Sequence, residues 1–279
     1  MIEAVRSVTI VRVRGRARES ATDRAAAEEP LEIRLHGRRF ATIMRTPGAD
    51  RELAAGFLLS ERIVRTVDDI GTIAHCTDGP READGGAETS APLENIINIT
   101  LVDESQLERA VSGRRQVTTT ASCGVCGRET IEALTADIPP IASLMSVREA
   151  VIAALPQQLR GAQRVFDQTG GLHAAGLFTA DGALVDIAED VGRHNAVDKA
   201  IGRRLLRDEL PLSDLLLCVS GRTSFEIVQK AAVAGLPVVA AVSAPSSLAI
   251  DLADASGLTL VGFVRDNGFN IYAHPARIL

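Results

Sequence analysis

The sequence predicts an α/β protein, a C-terminal three-layer α/β/α domain preceded by a smaller α+β domain, and three observations carry that prediction. With 279 residues, the chain can bury a full core and is long enough for two domains. From residue 213 onward, short continuous apolar runs alternate with helical patterns, which implies a mostly parallel sheet covered on both faces. Ahead of that lie two alternating runs and a helix, as expected of a small β-grasp or roll-like module.

Taken in order, "SVTIVRV" reads as a short strand, and the charged, alanine-rich "GRARESATDRAAAEE" after it, residues 15–29, as a mobile arm or loop. "LEIRLHG" and "RRFATIMR" alternate and meet at His36-Gly37, a hairpin signature. In "PGADRELAAGFLLSERIV", Asp50 sits as a helix N-cap ahead of Leu53, Phe57 and Leu58 at helical spacing. Turn residues throughout 77–92 predict a surface loop, and "NIINITLV" a strand. "IEALTADI" and "SVREAVIAAL" have helical spacing, whereas "GLHAAGLFTADGALVDIAED" reads as two strands around Asp181-Gly182. "LLLCVSG", "PVVAAVSA" and "LTLVGFVR" are buried strands separated by helices that Gly235 and Gly257 close. The resulting division is an N-terminal strand and arm over 1–29, the roll-like domain over 30–115, and the larger domain over 116–279.

A net charge of −6 with no tryptophan and one tyrosine argues against a general nucleic-acid surface, which needs a basic field and stacking rings. Four unevenly spaced cysteines, no signal peptide and no membrane-length apolar run point to a cytoplasmic protein with reduced thiols. Lys199 and Lys230 are its only lysines; arginine, the usual base here, suits bidentate phosphate recognition.

The densest chemistry is "TTTASCGVCGRE", residues 118–129, with Cys123 and Cys126 two residues apart. Such a pair can be half of a tetrahedral zinc site, a redox dithiol, or a nucleophile with its modulator. A helix starting at "RETIEAL" would favour the thiolate at one of them. No second Cys-x-x-Cys or His-x-x-x-His completes a zinc site, although His173 and His194 could be recruited from afar. Cys218 reads as core and Cys76 as incidental.

Three more segments belong beside it. "TGGLHAAGLF" brings His173 after a glycine pair. "EDVGRHNAVDKAIG" packs Glu189, Asp190, Arg193, His194, Asn195, Asp198 and Lys199 into one turn and helix start, dense enough to suggest a site. "VSGRTSFEIVQKA" leaves a strand through Ser220, Gly221 and Arg222 into a helix, offering N–H groups and a guanidinium to an anion.

Together "SCGVCG", "TGGLHAAGLF", "EDVGRHNAVDKAIG", "SGRTSFEIVQKAAVAGLPVVAAVSAPSSLA" and "GLTLVGFVR", after "EEPLEIRLHG" and "MRTPGADRELAAGFLLSE", resemble the FdhD family of sulfur carriers, from about residue 29 to the C-terminus. The resemblance implies a homodimeric sulfurtransferase with a cytidine-deaminase-like C-terminal domain. Such a protein accepts sulfur as a persulfide from a cysteine desulfurase. It passes that sulfur to the molybdenum cofactor, in its bis-molybdopterin guanine dinucleotide form, before the cofactor enters formate dehydrogenase. By the same resemblance Cys123 carries the persulfide with Cys126 as its partner, and Phe263, Val264, Arg265, Asp266, Asn267 and Gly268 bind the cofactor, although "FVRDNG" departs from the family's pattern. A guanine nucleotide would then mimic the cofactor, and Ser220, Gly221, Arg222, His173 and His194 would join its cradle. Two alternatives stand: a zinc-dependent deaminase-like hydrolase, weakened because no His-x-Glu precedes Cys123, and a cofactor-binding chaperone that transfers no sulfur.

Overall fold

The computed structural model describes residues 3–76, 93–103, 105, 138, 140–266 and 268–279. Cys123, Cys126, the rest of 118–129, "IEALTADI" except Ile138, the 77–92 loop and Asn267 lie outside the described residues.

The chain opens with a two-stranded antiparallel ribbon, β1 (Val5–Arg14) and β2 (Ala17–Ala26), in register from Val5↔Ala26 to Arg14↔Ala17. The expectation of a mobile arm over 15–29 is thus corrected. Ala17–Ala26 is a poor strand former by composition, but β1 supplies a ladder and cross-strand pairs such as Thr9↔Thr22 and Arg12↔Glu19. Pairing context overrides weak intrinsic preference.

β3 (Glu29–Leu35), β4 (Arg38–Arg45), β5 (Ile70–His75) and β6 (Ile96–Leu101) form a sheet in the order β4-β3-β6-β5. The two hairpin pairs are antiparallel and the central β3/β6 pair is parallel. With α1 (Asp50–Ser60) between the hairpins, this is the β-grasp arrangement. Asp50 is not the N-cap, as expected from sequence. Ala49 caps α1, and Asp50 is the first helical residue. Its carboxylate is drawn away by the fully buried Arg45, which donates to it from Nε (2.9 Å) and Nη2 (3.0 Å), and from Nη2 to Asn95 Oδ1 (2.8 Å). A buried guanidinium needs a counter-ion more than a helix start needs a cap.

The larger sheet contains β7 (His173–Thr179), β8 (Leu184–Asp190), β9 (Leu215–Val219), β10 (Val238–Ala241), β11 (Thr259–Arg265) and β12 (Gly268–Ala273), in the order β12-β11-β10-β9-β7-β8. Only β9, β10 and β11 run parallel to one another; the β7/β8, β7/β9 and β11/β12 pairs are antiparallel. The expected mostly parallel sheet is therefore mixed, because a hairpin fills one side and β12, which the sequence reading missed, fills the other edge. One face packs α2 (Glu149–Ala162) onto Phe178, Leu216, Cys218, Val238, Ala240 and Val261. The short α3 (Arg164–Thr169) follows it. The opposite face is covered by α4 (Arg193–Leu205), α5 (Phe225–Val233) and α6 (Ser247–Ser256), which completes three layers.

The core of the small sheet is continuous with this second face, from Leu31 and Leu53 to Leu217 and Leu260. Helices α1 and α4 cross at backbone contact. A Cβ added at Gly56 would lie 2.0 Å from the Asp198 carbonyl oxygen, and one at Gly202 would lie 1.9 Å from that of Glu52. Only glycine permits this approach. It fixes α4, whose first turn carries the site residues, against the β-grasp unit.

Candidate functional site

The carboxyl ends of β8, β9, β10 and β11 and the amino end of β7 share one sheet edge, where α4 and α5 begin. The register Val219↔Ala241 and Ala240↔Val261 puts Ser220, Val242 and Phe263 in one row, the first two just past the ends of β9 and β10 and Phe263 within β11 near its carboxyl end. Their loops are stitched together: Thr223 N–H donates to Ala244 O (3.3 Å), Ser246 N–H to Thr223 O (2.9 Å) and Phe263 N–H to Ser243 O (3.3 Å). The sequence-expected residues His173, His194, Ser220, Gly221, Arg222 and Phe263–Gly268, Asn267 aside, therefore gather along one edge, the place where open α/β sheets bind ligands.

At the β7 side, Ser220 Oγ accepts the Ala174 N–H (2.9 Å), holding the loop against His173. Gly221 backs onto that ring: a Cβ there would meet His173 Nδ1 at 3.4 Å and Arg193 Cδ at 3.9 Å. His194 Nε2 lies 2.9 Å from Ser224 Oγ and 3.5 Å from Glu226 Oε2, and Arg193 Nε approaches it at 3.4 Å. Burial pushes the His194 pKa down to about 4, with the charges of Lys230 and Arg193 adding to the effect and Glu226 opposing it. His173 is also lowered, by burial and then by Arg193. Both rings are consequently neutral at pH 7 and present lone pairs as well as donors.

Arg222 is exposed and makes no hydrogen bond or ion pair among the described residues; Arg265 is exposed with its guanidinium 5.5 Å from the Phe263 ring centroid. The positive end of α5 begins at Ser224, one residue past the buried Thr223, whose Oγ1 has no partner among the described residues. Free guanidinium groups, neutral imidazoles and a helix start make this edge suited to an anionic, polar ligand.

Apart from Arg193 and His194, the charged and polar residues of 189–202 make supporting contacts. Glu189 accepts the Val165 and Phe166 N–H groups (3.0 and 2.8 Å) at the start of α3. Fully buried Asp190 receives Gly192 N–H (2.8 Å), Asn195 Nδ2 (2.8 Å), Thr46 N–H (3.1 Å) and Lys199 Nζ (2.7 Å). Lys199 and Asn195 also donate to the Thr46 and Met44 carbonyls (2.7 and 2.8 Å), clamping the Gly192–His194 turn to the end of β4. Behind the turn, Lys230 Nζ donates to both Asp198 oxygens (2.9 and 2.8 Å), lies 3.3 Å from Glu226 Oε1, and Ser60 Oγ donates to Asp198 Oδ1 (2.9 Å). Burial pushes the Asp198 carboxyl up to about 6 against the pull of Lys230. Burial works against the Lys230 cation too, but Asp198 and Glu226 outweigh it and raise its pKa. Sequence reasoning included Ser224 in the loop but missed Glu226; an acid two residues after a Ser at a helix start was the available signal.

A mixed three-layer α/β protein with an attached β-grasp unit, and with a strand-end edge of arginines and neutral histidines, is the class these features define. The FdhD/NarQ family model matches residues 26–279, and the chain belongs to that family. It is 49% identical to the sulfur carrier protein FdhD of Streptomyces coelicolor, over 96% of this chain and 94% of that one. It is 50% identical to the sulfur carrier protein FdhD of Mycolicibacterium paratuberculosis, over 90% of each. Among solved structures, a protein from Desulfotalea psychrophila assigned as a formate dehydrogenase accessory protein superposes with a TM-score of 0.74 at 25% identity, covering 99% of this chain and all of that one. Among the described residues, no helix is long and apolar enough to cross a membrane.

Proposed function

We propose that this chain is a sulfur carrier that loads persulfide sulfur on Cys123 from a cysteine desulfurase. It then passes that sulfur to the molybdenum cofactor, in its bis-molybdopterin guanine dinucleotide form, for use by formate dehydrogenase. The observation that carries the reading is family membership over 26–279, a span that includes the Cys123/Cys126 pair. In loading, the Cys123 thiolate attacks the outer sulfur of the donor persulfide and the donor thiolate leaves with the electron pair. In delivery the acceptor attacks the outer sulfur: the acceptor–sulfur bond forms with electrons the acceptor supplies, the S–S bond breaks, and Cys123 leaves as its thiolate with that bond's electron pair. Attack by the Cys126 thiolate on the same outer sulfur instead moves the persulfide to Cys126 and frees Cys123, and so tunes or resolves it.

The cofactor is the substrate, and the strand-end edge supplies groups suited to its diphosphates. Arg222, Arg193 and Arg265 offer guanidinium donors, and α5 offers its positive end. Ser220, Gly221, Phe263–Asp266 and Gly268 provide backbone to line the edge, and the neutral His173 and His194 accept or donate hydrogen bonds to it. The clamp of Asp190, Asn195 and Lys199 keeps the Arg193-His194 turn in place without presenting charge to the ligand.

The test is to supply Cys123→Ala and Cys126→Ala separately to cells lacking this protein and to measure formate dehydrogenase activity. Cys123→Ala should abolish it and Cys126→Ala should reduce it. Full activity in both variants would transfer the function to a cofactor chaperone without sulfur chemistry. A second reading, a zinc hydrolase, draws on the meeting of His173 and His194 at one corner. Stoichiometric zinc in protein purified without chelator, lost on mutating Cys123 or Cys126, would favour it.

A further inference from the structure

Three buried charges behind the strand-end edge take no part in sulfur transfer, and they end against one side of one ring. Lys230 Nζ holds both Asp198 oxygens (2.9 and 2.8 Å) and lies 3.3 Å from Glu226 Oε1, one helical turn back on α5. That contact orients the Glu226 carboxylate. Its other oxygen, Oε2, is shut off from solvent and makes no hydrogen bond among the described residues. His194 Nε2 lies 3.5 Å from it. Two acids stand here against one base, so the row presents negative charge to the ring.

This charge decides which nitrogen of the neutral ring carries the proton. A carboxylate oxygen only accepts, so a bare Nε2 lone pair would meet it in repulsion and leave Oε2 buried with nothing to bind. With the proton on Nε2, the ring donates to Ser224 Oγ at 2.9 Å and sets the positive end of its N–H beside Oε2. Arg193 Nε, 3.4 Å from the same nitrogen, is at the long limit of a hydrogen bond and does not outweigh a buried carboxylate. The acid and the hydroxyl share one ring nitrogen, so this is not the arrangement that activates a serine, in which they take opposite nitrogens. Nδ1 is then left as a lone pair. It makes no hydrogen bond among the described residues, yet it is not walled off from solvent, and the His194 side chain keeps 12% exposure.

We propose that Glu226 is a positioning residue that, with Ser224, holds His194 as the Nε2–H tautomer, so that Nδ1 accepts an N–H or O–H from the nucleoside part of the ligand. A lone pair at this point repels phosphate oxygens, which the arginines take, and so sorts the two ends of a nucleotide. The inference rests on the strand-end edge being the cofactor's site. It gives the buried Asp198, Lys230 and Glu226 row a purpose beyond holding helices together.

Two measurements on the full chain at pH 7 test it: nitrogen NMR of the His194 ring, and calorimetry with guanosine diphosphate and with inorganic diphosphate. Wild type should show a protonated Nε2 and a bare Nδ1. Glu226→Gln, whose amide can donate to Nε2, should move the proton to Nδ1. The same variant should bind guanosine diphosphate at least roughly tenfold more weakly, because donor then meets donor, while holding inorganic diphosphate as wild type does. An analogue lacking both ribose hydroxyls locates the partner: if the Glu226→Gln effect vanishes with it, the donor is a ribose hydroxyl, and if the effect persists, the base. Should Glu226→Gln fail to fold, His194→Asn and His194→Leu decide, since the asparagine oxygen can stand in for Nδ1 and should keep more nucleotide affinity than leucine. A protonated Nδ1 in wild type, equal nucleotide affinity in wild type and Glu226→Gln, equal losses for both probes, or equal affinity in the two His194 variants would overturn the proposal and leave the strand-end site standing. A wild type that binds neither probe would overturn the strand-end site itself, and the proposal with it.

Discussion

Lys230→Met tests whether the buried ion pair behind the site is what the geometry says it is. Methionine keeps most of the lysine stem, so packing changes little and the charge is what is lost. Gone are two hydrogen bonds to Asp198 at 2.8 and 2.9 Å and the contact with Glu226 at 3.3 Å, which leaves Ser60 as the Asp198 side-chain donor among the described residues. Removing one partner of a buried pair costs about 3–5 kcal/mol, because the remaining charge stays desolvated. The loss depends on pH. The folded Asp198 pKa of about 6 lies above its ordinary 3.8, so this group's contribution to stability is whole below about pH 4 and falls as pH rises through 6. Without Lys230 the folded pKa climbs further, so the variant's deficit is large at pH 7 and smaller at pH 5, where the carboxyl is protonated in both proteins. Urea unfolding followed by circular dichroism at the two pH values measures it. Adding Asp198→Asn should restore more than half of the loss at pH 7, since an amide carries no charge to strand. A Lys230→Met deficit below about 1 kcal/mol at pH 7, or one equal at both pH values, would refute the reasoning.

Three further outcomes follow from the same geometry. The His194 imidazole should show no titration between pH 7 and 5.5 in an NMR pH series, because its pKa lies at about 4; a midpoint near 6.5 would contradict the burial argument. Gly202→Ala places a methyl group 1.9 Å from the Glu52 carbonyl and must push α1 and α4 apart. It should lower stability by about 2 kcal/mol or more in thermal melts, and an unchanged melting temperature would remove the backbone contact as a constraint. Arg222→Ala should weaken guanosine diphosphate binding by about 1–3 kcal/mol in calorimetry, and unchanged affinity would remove Arg222 from the cradle.

The C-terminal strands were legible because their burial is continuous: "LLLCV" and "VVAA" are apolar at every position, as the middle of a covered sheet requires. The edges were not. β2 is charged and alanine-rich and exists through its pairing with β1, and β12 is antiparallel and half-exposed, so neither has the signature of the strands between β9 and β11. The strand-end site was legible in part. Ser220–Arg222, His173 and His194 stood out by composition, but the meaning of Asp190, Asp198 and Lys199 did not. Such charges read as solvated until their partners are placed, and those partners, Thr46 and Ser60, lie more than a hundred residues away in the β-grasp unit. Asp50 was misplaced for a related reason, since nothing local announces that Arg45 is buried and claims its carboxylate.

The central claim is that sulfur travels on Cys123, and the most direct measurement is intact-mass spectrometry of the protein after anaerobic incubation with a cysteine desulfurase and cysteine. A species heavier by one sulfur atom is expected, removed by a thiol reductant, retained in Cys126→Ala and absent in Cys123→Ala. No added sulfur in wild type, or loading that survives Cys123→Ala, would contradict it.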